Sequence, residues 1–194
     1  MSERRILVAA LGDSITEGSP GLRGWDVWAR ASERYEIRNC GINGQRTDEI
    51  AARLDDCARG ADVLVVQGGI NDIAQGRKVE TAAANLRALV RRGKELVPRV
   101  VLADVLPWNN GWPDAEPKIR RLNELVAAIA HQERVPLLPF HDTLEDPDRP
   151  GRMRDEWTFE GDHPNEDGYR LLAEVVLREL EKTSRQATPP EVGG

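Results

Sequence analysis

Cysteine is nearly absent from this chain: Cys40 and Cys57 are the only two in 194 residues. Two are too few for a disulfide scaffold, and their spacing matches no metal site. They are expected as two buried thiols in a reducing compartment, which points to the cytoplasm. Long apolar runs are also missing. Ile6-Leu7-Val8-Ala9-Ala10-Leu11 ends after six residues at Gly12-Asp13. That is short of a secretory core segment and far short of the roughly 20 residues of a membrane span. No membrane partner is expected. A positive surplus is absent too: 27 Lys and Arg against 33 Asp and Glu leave a net charge of −6. Without a basic surface to neutralise phosphates, general nucleic-acid binding is excluded. Histidine is scarce, with three residues, so any imidazole base must be His131, His141 or His163.

What is present alternates in period. Arg5–Leu11, Tyr35–Cys40, Asp62–Gln67, Arg99–Leu106 and Val135–Phe140 read as strands. The first, third and fourth are almost continuously apolar, as strands are when helices cover both faces of a parallel sheet. Between and after them, Val79–Val97, Lys118–His131 and Glu166–Glu181 repeat apolar residues at helical spacing. Shorter helices are expected over Gly24–Arg34 and Thr47–Ala58. Strands joined through helices predict an α/β fold built on right-handed crossovers. One domain is expected over residues 1–183, with 184–194, rich in Pro and Gly, as a frayed tail.

In such sheets ligands bind at the carboxyl ends of the strands. The segments there are Gly12-Asp13-Ser14, Gly41-Ile42-Asn43-Gly44, Gly68-Gly69-Ile70-Asn71-Asp72, Pro107-Trp108-Asn109-Asn110-Gly111-Trp112 and His141-Asp142. Ser14 follows a strand at a turn that can expose its hydroxyl. A serine nucleophile needs a base, and its product oxyanion needs donors. Gly44 has no side chain to keep its N–H from a substrate, and the Asn71 amide can donate. Among the histidines, His131 fits a helix end. His141 follows the fifth strand and stays a minor candidate for the base. His163 lies among acids in Glu160-Gly161-Asp162-His163-Pro164-Asn165, on a turn that Pro164 stiffens.

Four of these segments together resemble the SGNH hydrolases, also called the GDSL esterase/lipase family. They are Gly12-Asp13-Ser14-Ile15-Thr16-Glu17-Gly18, Asn39-Cys40-Gly41-Ile42-Asn43-Gly44, Gly69-Ile70-Asn71-Asp72, and Glu160 to Asn165 followed by Gly168-Tyr169. A lone Gly-Asp-Ser occurs often by chance, whereas four blocks in order, each after the expected element, do not. The resemblance implies a three-layer αβα sandwich of flavodoxin-like type with about five parallel strands. It implies Ser14 as nucleophile and His163 as base. It implies an oxyanion hole of the Ser14 N–H, the Gly44 N–H and the Asn71 side chain, and no metal or organic cofactor.

One position departs from the family pattern. The triad acid is normally an aspartate three residues before the histidine, and here that residue is Glu160. Glutamate can still accept a hydrogen bond from the imidazole. Glu160 is therefore the expected acid and the adjacent Asp162 the alternative. Asp13 and Asp72 read as loop pins. Trp108 and Trp112, with Asn109 and Asn110, read equally as pocket wall or as packing against a second copy in a homo-oligomer. The expected activity is hydrolysis of a small-molecule carboxylic ester with a short acyl group, carbohydrate esters included. A lipid-sized site is not expected, because the chain lacks long insertions. Thioesterase, lysophospholipase-type or acyltransferase chemistry on the same scaffold is the alternative. A non-catalytic binding module is the rival from another class, favoured only by Glu160.

Overall fold

The computed structural model describes residues 4–18, 21–22, 24–29 and 33–186. Five parallel strands form its sheet: β1 (Ile6–Gly12), β2 (Tyr35–Gly41), β3 (Val63–Val66), β4 (Arg99–Ala103) and β5 (Leu137–Leu138). Their order is β2-β1-β3-β4-β5. The chain leaves β1 in one direction to β2 and then returns past it to β3. This places a topological switch point, where α/β sheets open a crevice, between the carboxyl ends of β1 and β3.

The helices are α1 (Ser14–Glu17), α2 (Trp25–Ala29), α3 (Thr47–Ala51), α4 (Leu54–Ala58), α5 (Ile70–Ala74), α6 (Val79–Leu96), α7 (Glu116–Glu133), α8 (Phe140–Leu144) and α9 (Glu166–Gln186). Side chains alternate along each strand and so feed two cores. Ala9, Leu11, Leu64, Val66, Val100 and Leu102 pack against α3, α4, α6 and α7. Val8, Ala10, Val63, Val65, Val101 and Ala103 pack on the other side against α2, α8 and α9. The apolar runs are continuous because both faces are covered, and the chain has the expected α/β sandwich.

Several boundaries differ from the sequence reading. The helix expected over Thr47–Ala58 is two helices broken at Ala52 and Arg53, where the Arg53 side chain turns inward. Phe140, expected to end β5, begins α8, because Pro139 has no N–H for a ladder and caps the helix instead. Residues 184–186, expected in the tail, continue α9, and 187–194 lie outside the described residues, as do 30–32 of the expected second helix. No described helix is long and apolar enough to cross a membrane.

The two cysteines require a correction. They are not separate thiols: Cys40 and Cys57 form a disulfide, with Cα atoms 6.1 Å apart. The end of β2 lies beside α4, so residues 17 apart in sequence meet at bridging distance.

Gly41, at the end of β2, has no room for a side chain. A Cβ there would sit on the backbone of α1, 2.6 Å from Glu17 Cα and 2.7 Å from Thr16 C. Gly41→Ala should therefore destabilise the fold by about 1–3 kcal/mol through overpacking. Thermal unfolding reads this as a fall of several degrees, and an unchanged midpoint would contradict so close a contact.

Candidate active site

Ser14 opens α1 immediately after β1. Asp13 caps that helix, its Oδ1 accepting from Ile15 N–H at 3.0 Å. The Asp13 carboxyl is fully buried, and burial pushes its pKa up to about 6. A Gln67 side chain from the end of β3 secures the same turn. Its Oε1 accepts from Asp13 N–H at 3.3 Å and Thr16 Oγ1 at 2.9 Å. Asn39 joins β2 to α1 by donating to Thr16 O at 2.7 Å while accepting from Gly41 N–H. The serine therefore stands on a turn held from two neighbouring strands.

His163 arrives from the opposite end of the sequence. A short antiparallel hairpin, β6 (Thr158–Phe159) with β7 (His163–Pro164), carries it to the cleft. Its Nε2 lies 2.9 Å from Ser14 Oγ. Partial burial disfavours the imidazolium and lowers the His163 pKa, opposed by the charges of Asp162 and, less strongly, Glu160. A neutral imidazole in contact with a serine hydroxyl is the arrangement a general base requires.

Asn71, in α5 after β3, lines the same cleft. One of its amide hydrogens goes to Gln45 O at 3.0 Å, which fixes the amide and leaves the second hydrogen available. Gly44 is exposed, in a left-handed conformation (φ 78°), with open space where a side chain would stand. Among the described residues neither the Ser14 N–H nor the Gly44 N–H is taken by a protein acceptor. Asp72 does not pin its own loop. Its two oxygens accept from Thr47 N–H and Oγ1, both at 2.9 Å, and so tie α5 to α3.

Ser14, Asn71, Asp162 and His163 surround a cleft of about 160 Å³, with Ile15, Ile70, Ala74 and Trp108 as its apolar wall. A larger depression of about 480 Å³ lies by Arg4, Arg5 and Arg34, at the amino ends of the strands, and among the described residues neither serine nor histidine lines it. His131 is exposed in the last turn of α7, and His141 lines a separate cavity beside Asp104.

The two candidate acids are placed very differently. Glu160 is exposed and left-handed (φ 53°), and its carbonyl accepts from Asn110 Nδ2 at 2.8 Å. Asp162 lines the cleft. Its Oδ1 accepts from Trp108 Nε1 at 2.6 Å and Asn110 Nδ2 at 2.7 Å. Asn109 N–H adds a bond to Gly161 O at 3.0 Å. The loop after β4 thus clasps the histidine loop. Among the described residues no carboxylate hydrogen-bonds the His163 ring, and both acids act on it through space. Trp108 is pocket wall. Trp112 is 44% exposed, beneath the Arg152 guanidinium, 5.5 Å from the ring centre.

A sequence model of the GDSL-like lipase/acylhydrolase family matches residues 10–171, the stretch that contains every block of this site. The chain belongs to that family. Proteins of the GDSL family are also among its structural neighbours. A member of the lipolytic G-D-S-L family from Veillonella parvula superposes with a TM-score of 0.80 at 24% identity, covering 91% of this chain and 99% of the other. A GDSL-like lipase from Bacteroides thetaiotaomicron gives 0.78 at 22% identity over 91% and 88%. An acetylxylan esterase from Geobacillus stearothermophilus gives 0.74 at 19% identity over 93% and 95%. At these identities the likeness is one of fold. No curated protein sequence matches the chain. Family and fold together make this GDSL protein a hydrolase.

The sequence reading missed Gln67, Gln45 and Arg53. Each holds a site segment through a partner distant in sequence, and nothing in local spacing marks such a role.

Proposed function

We propose that this GDSL hydrolase is a serine esterase acting on short-chain carboxylic esters through an acyl-enzyme on Ser14. The observation that carries the reading is the 2.9 Å contact between Ser14 Oγ and His163 Nε2 at the sheet's switch point. His163 takes the hydroxyl proton as Ser14 Oγ bonds to the ester carbonyl carbon. The carbonyl oxygen becomes an oxyanion facing the Ser14 N–H, the Gly44 N–H and the free Asn71 hydrogen. The carbon–oxygen bond to the alcohol then breaks, and His163 protonates the departing alkoxide. Water, deprotonated by the same imidazole, attacks the acyl-enzyme and releases the acid and free Ser14.

The small apolar wall of the cleft suits an acetyl to butyryl group. Acetylated carbohydrates fit this size, and one neighbour of the same fold is an acetylxylan esterase. We assign the charge that steadies the imidazolium to Asp162, because Trp108 and Asn110 hold it beside the ring whereas Glu160 faces solvent.

A fluorophosphonate should label the wild-type protein once, on the peptide containing Ser14, and should not label Ser14→Ala. p-Nitrophenyl acetate should be turned over faster than the octanoate. Hydrolysis that persists in Ser14→Ala would end the proposal.

A further inference from the structure

One side chain touches the segments behind all three oxyanion donors. Arg53, at the break between α3 and α4, donates from Nη2 to Gly12 O at 3.2 Å, two residues before Ser14. It donates from Nη1 to Cys40 O at 2.6 Å, near the end of β2 and just before the loop that carries Gly44. From Nε it donates to Gln45 Oε1 at 2.9 Å, and the backbone oxygen of that same Gln45 holds the Asn71 amide. Gly12 O also accepts from Ile42 N–H at 3.1 Å, so the guanidinium closes a junction already begun by the backbone.

No carboxylate pairs with Arg53 among the described residues, and burial lowers its pKa without an acid to offset the cost. Arg99, which also reaches into the fold's interior, differs in pairing with Glu179 at 3.0 Å. A partly desolvated cation bound only to neutral oxygens is costly at rest. It is favourable where negative charge forms during reaction, in a site of low dielectric.

We propose that Arg53 is the positioning residue of the oxyanion hole. Its fork fixes the Ser14, Gly44 and Asn71 segments in one arrangement, and its uncompensated charge favours the oxyanion over the neutral ester. The proposal rests on the serine-esterase reading. It assigns Arg53 no contact with substrate.

Donors displaced by a fraction of an ångström lose transition-state binding more than ground-state binding. Arg53→Gln should therefore lower kcat about 10- to 100-fold, with KM within about threefold. Arg53→Lys, which keeps the charge and loses the fork, should fall between the two. The decisive measurement is a double-mutant cycle with Asn71→Ala on p-nitrophenyl acetate. If Arg53 acts by holding the hole, Arg53→Gln costs much less in the Asn71→Ala background than in wild type. Equal losses in both backgrounds would overturn the proposal, as would an unchanged kcat. So would a loss that vanishes when each variant is assayed well below its own unfolding midpoint. If Arg53→Gln does not fold, the same cycle is run on Arg53→Lys. Fluorophosphonate labelling of wild-type Ser14 separates the two hypotheses. An unlabelled Ser14 defeats the esterase reading, whereas a labelled Ser14 with multiplying losses defeats only the role of Arg53.

Discussion

His163→Ala should lower kcat for ester hydrolysis by at least about 10⁴-fold while leaving the protein folded. A serine hydroxyl is a poor nucleophile at neutral pH, and among the described residues the base in contact with Ser14 Oγ is His163 Nε2, at 2.9 Å. The side chain is partly exposed and lies on a short hairpin rather than in either core, so its loss should cost activity far more than stability. The pH profile carries the same test further. The working form is neutral imidazole, and burial lowers the His163 pKa, so kcat/KM should fall on the acid side with a midpoint below the ordinary value of about 6.5. Both nearby carboxylates push that pKa up, Asp162 more than Glu160. Asp162→Asn should therefore move the acid limb to still lower pH and reduce the plateau rate, because the imidazolium of the transition state loses its nearest charge. Glu160→Gln should do less of both. The reverse ranking would show that the residue at the family's usual acid position does the work, and that the outward turn of Glu160 is not the catalytic arrangement.

Asn71→Ala should lower kcat by about 100- to 1000-fold, or about 2.7–4 kcal/mol of barrier, with little change in KM. The amide has one hydrogen committed to Gln45 O and one free over the cleft. That free donor meets an ester carbonyl weakly and an oxyanion strongly, so its loss falls on the transition state. The same loss should appear for acetyl and butyryl esters alike, because the oxyanion is common to both. A defect confined to KM would mean that Asn71 only binds substrate. Asn71→Asp should be at least as damaging, since it sets a carboxylate where negative charge must develop.

The sheet was legible because its signal is local and repeated. The unbroken apolar run of β1 means cover on both faces, and the stripes on α6, α7 and α9 are the faces that provide it. Ser14, Gly44, Asn71 and His163 were legible as motif positions, the first three following the carboxyl ends of β1, β2 and β3. The short elements were not. A five-residue helix such as α5 or α8 is hardly longer than one turn, so no periodicity can accumulate.

The sequence by itself determined the layers, the hydrolase family and which serine and histidine meet. Only the tertiary structure decided the rest: that Cys40 bonds Cys57, that Glu160 turns outward while Trp108 and Asn110 hold Asp162 over the cleft, and that Arg53 reaches Gly12, Cys40 and Gln45 at once. These are pairings between groups far apart in the chain. A repeating pattern records which face a residue lies on; it does not record which distant group stands opposite, because strand order and loop path settle that.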